Sequence, residues 1–217
     1  MKNLLVIGLM SGTSMDGIDV SLLKTDGIES KVISVGLCHP YSIITKKLID
    51  KFNKLSTKQI IENRFLYEDL SISLTKDHSN AVFLVKTKTL KKINLIGFHG
   101  QTIYHNPAKG ISLQIGDPQL LSNITKTRVV GNFRENDIKM GGEGAPLAPL
   151  YHNHLINKFN LEYPSCFLNI GGVSNISYCD EKNFFGFDTG PGNGLIDIYL
   201  KKKINKSFDL NGQLAQS

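Results

Sequence analysis

The sequence predicts an α/β protein built from two related lobes, and two observations carry that expectation. First, an apolar strand, a turn of small residues and a returning strand occur near the start (4–10, then Gly12 to Gly17, then 18–23). The same order recurs in the second half as 166–170, Gly171-Gly172 and 173–178. Second, the apolar period changes from two to about 3.6 and back between these strand groups, as layered α/β folds require.

The elements follow in order. Residues 4–10 are an apolar run of strand length and 18–23 alternate, so the first turn joins two strands in a hairpin, and 31–37 supply a third. Ser56-Thr57-Lys58-Gln59 fits a capping box. From there to residue 91, Ile60, Ile61, Phe65, Leu66 and Leu70 recur at helical spacing, giving one long or broken helical region. Residues 93–98 form a strand ending in the turn His99-Gly100-Gln101-Thr102. Residues 112–115 lead into Asp117-Pro118, an N-cap followed by a first-turn proline, and 128–130 form a short strand. The Gly-rich stretch 131–149 can hardly continue a helix or a strand, which places a boundary there and divides the chain into 1–131 and 132–217. A helix over 147–158, strands at 166–170, 173–178 and 184–187, and a helix over 193–203 complete the second half.

With 217 residues and 41% hydrophobic content, the chain can bury the core of one large or two small domains. It has no run of about 18 uncharged apolar residues, and its start lacks a signal-peptide layout, so a soluble, cytoplasmic protein is expected, with no membrane partner. Cys38, Cys166 and Cys179 lack CxxC spacing and read as buried thiols rather than a disulfide or zinc framework. The net charge of +6 comes from scattered lysines, which fits a solvated surface and not a nucleic-acid site. Lys201-Lys202-Lys203 with Lys206 fits a helix end.

Two glycine-bounded turns carry a carboxylate each. Gly12-Thr13-Ser14-Met15-Asp16-Gly17, continuing through Ile18 to Asp19, lacks the lysine of a P-loop. Its glycines let backbone amides approach a phosphate, Thr13 and Ser14 add hydroxyls, and Asp16 and Asp19 can hold Mg²⁺ through water; an ordinary turn accounts for the same residues equally well. Gly171-Gly172 can grip phosphates by the same physics. Asp188 follows an apolar strand, held by Gly190, Pro191 and Gly192, and suits either proton transfer or capping of the next helix. His99, Gln101 and Thr102 offer neutral donors and acceptors for sugar hydroxyls, or a hydrogen-bonded turn. Arg134 and Glu143 suit an anionic substrate or a mutual ion pair. His152 and His154, two apart on a helix, do not share a face for a metal.

Taken together, Gly8-Leu9-Met10-Ser11-Gly12-Thr13-Ser14-Met15-Asp16-Gly17-Ile18-Asp19, His99-Gly100-Gln101-Thr102, Phe133-Arg134, Gly141-Gly142-Glu143-Gly144-Ala145-Pro146-Leu147, Asn169-Ile170-Gly171-Gly172 and Gly186-Phe187-Asp188-Thr189-Gly190-Pro191-Gly192-Asn193 strongly resemble anhydro-N-acetylmuramic acid kinases. The resemblance implies the actin-like superfold of sugar kinases and Hsp70, with ribonuclease H-like lobes. The first would be complete except for a terminal helix, and the second truncated, because the family's chains continue beyond this length.

It also implies an ATP-dependent reaction assisted by Mg²⁺. Phosphate is transferred to O6 of 1,6-anhydro-N-acetylmuramic acid while water opens the anhydro bridge, giving N-acetylmuramic acid 6-phosphate for peptidoglycan recycling and amino-sugar catabolism. Gly12, Thr13, Ser14, Met15, Asp16, Gly17, Ile18 and Asp19, with Gly171 and Gly172, would bind ATP. Asp188 would be the general base, and His99, Gln101, Thr102 and Arg134 would contact the sugar. The alternative is an inactive sugar- or nucleotide-binding remnant of such a kinase. A homodimer or a complementing C-terminal fragment is the expected protein partner.

Overall fold

The apolar run that opens the chain forms β1 (Leu4–Ser11), paired antiparallel with β2 (Ile18–Thr25), which pairs antiparallel with β3 (Ser30–His39). The computed structural model describes residues 3–12, 17–52, 54–55, 59 and 63–217. β1 also pairs in parallel with β4 (Leu95–Asn106), whose far half takes the antiparallel β5 (Ile111–Ile115) and whose near half takes the short parallel β6 (Val129–Val130). The result is a mixed sheet in the order β3-β2-β1-β4-β5.

Period-two alternation puts Ile7, Leu9, Ile18, Val20, Leu22, Ile96, Phe98 and Ile115 into one core. Helices α1 (Ile43–Phe52) and α2 (Arg64–Thr89) complete it with Ile49, Phe52, Leu70, Leu74, Ala81, Val82 and Val85. Each fully buried aliphatic side chain there stabilises the fold by roughly 1.5–3 kcal/mol. Helix α3 (Pro118–Thr125) starts as expected, since the Asp117 carboxylate accepts from the Leu120 amide at 2.9 Å ahead of Pro118. At its other end the Lys86 ammonium donates to the Thr125 carbonyl at 2.6 Å, a cation placed at the helix's C-terminal carbonyls.

Two features differ from the sequence expectations. Helix α1 has no counterpart in them, although Thr45, Ile49 and Phe52 fall on one buried stripe and the Ser42 hydroxyl accepts from the Thr45 amide at 3.2 Å. The capping box at 56–58 lies outside the described residues; α2 starts at Asn63, whose side chain accepts from the Leu66 amide. His99-Gly100-Gln101-Thr102 is not a strand end, because β4 runs on through it with a bulge. Leu9 faces Phe98, but Ser11 faces Gln101, so β4 carries one extra residue. Gly100 sits at φ 70°, and a Cβ there would lie 2.5 Å from the Ile115 carbonyl oxygen, so the bulge needs glycine.

The chain divides into two compact units, 1–144 and 145–217. Residues 132–144 therefore go with the first unit and not with the second, as the boundary at 131 expects. The reason is local: they contain α4 (Glu135–Lys139) and are tied back by Arg134.

The second unit is an antiparallel meander of β7 (Ser165–Ile170), β8 (Val173–Cys179) and β9 (Phe184–Pro191), with α5 (Ala148–Phe159) and α6 (Gly194–Ile204). Gly186 lets Pro146 and Pro149 approach β9, where a Cβ would stand 2.9 Å from each ring. Its buried apolar residues are Pro149, Ile156, Cys179 and Leu200, while Leu168, Ile170, Phe187, Ile196 and Tyr199 are exposed. Only Cys179 is a buried thiol; Cys38 and Cys166 are exposed, since strand alternation turns them outward. Lys201, Lys202 and Lys203 occupy the last turn of α6. Among the described residues, no helix is long and apolar enough to cross a membrane.

Candidate functional site

The first glycine turn joins β1 to β2. Thr13, Ser14, Met15 and Asp16 lie outside the described residues, so the geometry rests on Ser11, Gly12, Gly17, Ile18 and Asp19. Gly17 is buried against β3: a Cβ would meet the Cys38 sulfur at 2.6 Å and the His39 carbonyl oxygen at 2.9 Å. Asp19 is exposed between buried Ile18 and Val20, facing Met10 on one side and Cys38 on the other. Among the described residues, no three His, Cys, Asp or Glu side chains gather as a metal cage. A nucleotide-bound Mg²⁺ needs no such cage, because one or two carboxylates, water and phosphate oxygens suffice, and an exposed aspartate at a strand end fits that donor set.

Beneath this turn lies a buried polar cluster that no local sequence signal marks. The Ser11 hydroxyl and His78 Nε2 are 2.8 Å apart, and His78 Nδ1 is 2.8 Å from the Leu74 carbonyl. A carbonyl only accepts, so Nδ1 carries the proton and Nε2 accepts from Ser11. His78 is fully buried and stands edge-on to Phe98. Burial pushes its pKa down to about 4 from 6.5, against the opposing Leu74 hydrogen bond and the Asp77 charge.

The stability effect has a definite sign. The unfolded chain binds the His78 proton below about pH 6.5 and the folded chain only below about 4, so the contribution is whole above 6.5 and is lost as pH falls towards 4. It amounts to about 3 kcal/mol. Urea midpoints at pH 7 and 4.5 should show this loss, and His78→Gln, which keeps a donor and an acceptor, should flatten it; an equally steep profile in that variant contradicts the assignment.

The bulge in β4 aims His99 at Arg134. Arg134 Nε donates to His99 Nε2 at 2.9 Å and Nη1 donates to the Gly144 carbonyl at 3.0 Å, while His99 Nδ1 is 2.8 Å from the Gly100 carbonyl. The ring is therefore neutral, with both nitrogens in use. Burial lowers its pKa first, and the guanidinium adds to that against the Gly100 hydrogen bond. Arg134 thus pairs with His99 and not with Glu143, which is exposed. Removing the cation with Arg134→Met should raise the His99 pKa; an NMR titration of the ring that shows no upward movement contradicts this pairing.

Thr102 is half-buried and its hydroxyl oxygen accepts from Gln114 Nε2 at 3.3 Å, leaving its own proton to donate. Gln101 is 1% exposed. Its Nε2 donates to the Gly12 carbonyl at 3.1 Å and the Thr102 carbonyl at 3.3 Å, and its Oε1 accepts from the Tyr41 hydroxyl at 3.0 Å. Of the four residues expected at a sugar, Gln101 is thus turned into the protein, whereas Arg134 and Thr102 retain donors.

In the second unit, the Gly171-Gly172 turn meets the start of α6 through its carbonyls. The Gly171 carbonyl accepts from the Asn193 amide at 2.8 Å, and the Gly172 carbonyl accepts from the Gly192 and Gly194 amides at 3.1 and 3.2 Å. These are the amides that an anion at a helix N-terminus would need. The turn therefore clamps the β9–α6 junction.

Asp188 stands exposed on β9, opposite Asn175. A bulge follows it: Asp188 faces Asn175, but Gly190 faces Ser174, so Thr189 is the extra residue and its hydroxyl bonds the Ser174 carbonyl at 3.1 Å. Helix α6 has Asn193 as its N-cap, so Asp188 does not cap it. His152 stacks on Phe167 at 4.5 Å, whereas His154 lies against Tyr151, which keeps the two histidines on different neighbours.

The sequence model of a family described as anhydro-N-acetylmuramic acid kinase matches residues 4–217. A curated protein of that name from Pelagibacter ubique is 42% identical over 214 residues, covering 96% of this chain and 57% of that protein. One from Zymomonas mobilis is 40% identical over 223 residues, covering 98% and 60%, and one from Bradyrhizobium diazoefficiens is 37% identical over 220, covering 98% and 59%. The chain thus spans 57% to 60% of the length of these relatives. A solved exopolyphosphatase-like protein aligns over 88% of this chain and 52% of its own, at 9% identity and a TM-score of 0.39, which assigns nothing by itself.

Proposed function

The chain belongs to the anhydro-N-acetylmuramic acid kinase family, and on that premise we propose that it phosphorylates 1,6-anhydro-N-acetylmuramic acid with ATP while water opens the anhydro bridge. The observation that carries the reading is the match across residues 4–217, which contains both glycine turns and Asp188 in one order. Each unit is read as a lobe of the actin-like superfold, and the setting as cytoplasmic peptidoglycan recycling and amino-sugar catabolism.

Water attacks C1 and gives its proton to the Asp188 carboxylate; the C1–O6 bond breaks, and O6 takes the γ-phosphoryl group. ADP and N-acetylmuramic acid 6-phosphate result. Asp188 suits this because it is exposed, so it can meet a substrate without first breaking a buried pair.

Gly12 to Asp19 hold the phosphates, and Asp16 and Asp19 hold Mg²⁺ through water. The ion supplies charge neutralisation on the transferring group. Arg134 and Thr102 donate to the sugar, His99 keeps Arg134 oriented, and Gly171-Gly172 act by fixing the segment that carries Asp188.

A second reading is sugar or nucleotide binding without turnover. One assay separates the two. Purified chain with ATP, Mg²⁺ and the anhydro sugar should yield the sugar 6-phosphate and ADP by phosphorus NMR; no product from soluble, folded chain leaves only the binding reading.

A further inference from the structure

Four buried polar side chains converge on the point where β1 enters the first turn. Ser11 is 1% exposed, Gln101 1%, His78 0% and Tyr41 4%. Each hydrogen bond comes from a different element. His78 on α2 takes the Ser11 hydroxyl, Gln101 on β4 takes the Gly12 carbonyl, and Tyr41, just before α1, donates to Gln101 Oε1. The Asp77 carboxylate on α2 accepts from the Ser42 amide at 2.9 Å and so fixes Tyr41's own backbone.

Buried polar groups are costly unless satisfied, at roughly 1–3 kcal/mol for each unpaired one, and the apolar core around them does not require them. Their position gives the reason. A turn that binds an anion must keep its carbonyl oxygens away from it, because a carbonyl facing a phosphate repels it.

We propose that Gln101, backed by Tyr41, is a positioning residue that holds the Gly12 carbonyl turned into the protein, so that a phosphate at the turn does not face it. Gln101 then acts through the turn and does not touch the sugar. The phosphate half of this inference rests on the function proposed above; the positioning half does not.

Two measurements on the full chain keep these apart. In the first, MgATP is titrated calorimetrically into wild type, Gln101→Met and Tyr41→Phe. Loss of the donor should raise the MgATP dissociation constant about tenfold in Gln101→Met, the worth of one good hydrogen bond, and by less in Tyr41→Phe. Thermal unfolding of the same samples reports the packing change. An unchanged dissociation constant with a lowered melting temperature would mean that the cluster serves only the core, and overturns the proposal.

In the second, amide hydrogen exchange is followed over residues 12–19. Gln101→Met should speed it there, with β5 unaffected. If wild type binds no MgATP, the phosphate-turn reading fails on its own, and exchange then decides the positioning role: faster exchange over 12–19 supports it, and unchanged exchange overturns it. Tyr41→Phe, which removes one oxygen, serves for both measurements if Gln101→Met does not fold.

Discussion

Asp188→Asn is expected to leave the fold and the sugar affinity intact while lowering turnover by roughly 10²- to 10⁴-fold, the usual contribution of a general base. Asn has the shape of Asp but cannot take a proton from water at neutral pH. Asp188 is exposed on β9 beside a bulge whose own hydrogen bond is made by Thr189, so the substitution disturbs no buried pair. Circular dichroism and a sugar titration check the first half, and kcat checks the second. Near-normal kcat would remove Asp188 from the reaction.

Gly192→Ala is expected to destabilise the second unit by about 2–3 kcal/mol or more, because overpacking against backbone cannot be relieved by a rotamer change. A Cβ at Gly192 would overlap the Gly171 carbonyl oxygen and come 2.9 Å from the Ser174 hydroxyl oxygen. The clash falls on the clamp itself, where the amides of Gly192, Asn193 and Gly194 meet the Gly171 and Gly172 carbonyls. Gly172→Ala is the matched control: nothing lies within 4 Å of a Cβ there, so its effect should stay within about 0.5 kcal/mol. Urea midpoints of the two variants decide the matter; equal midpoints would contradict the clamp.

The strands were legible because burial on one face enforces period two, as in 4–11 and 18–25. The start of α3 was legible because Asp117-Pro118 is a local signal with a local mechanism. Helix α1 was not, since Ile43, Ile44 and Thr45 are β-branched and mask the Thr45, Ile49, Phe52 stripe.

The task of Gly171-Gly172 depends on its partners, Gly192 to Gly194, which lie far along the chain; composition alone cannot distinguish a turn that grips phosphate from one that clamps a helix start. In β4, Gly100 within an apolar run is a bulge signal, and the structure gives it that meaning. Tyr41 and His78 carry no local sequence signal, because a lone buried polar residue takes its meaning from a partner distant in the chain. Three of the four residues expected at the sugar share one motif, yet Gln101 points inward while Thr102, its neighbour, keeps a donor, as strand alternation requires.

The proposed function requires that this chain couple phosphoryl transfer to attack of water on the anhydro sugar. The most direct test is to incubate it with ATP, Mg²⁺ and 1,6-anhydro-N-acetylmuramic acid in heavy-oxygen water and to read the product by mass spectrometry. The predicted result is N-acetylmuramic acid 6-phosphate with one heavy oxygen on C1 and none in the transferred phosphate. ADP formed together with labelled inorganic phosphate, and no sugar phosphate, would contradict it.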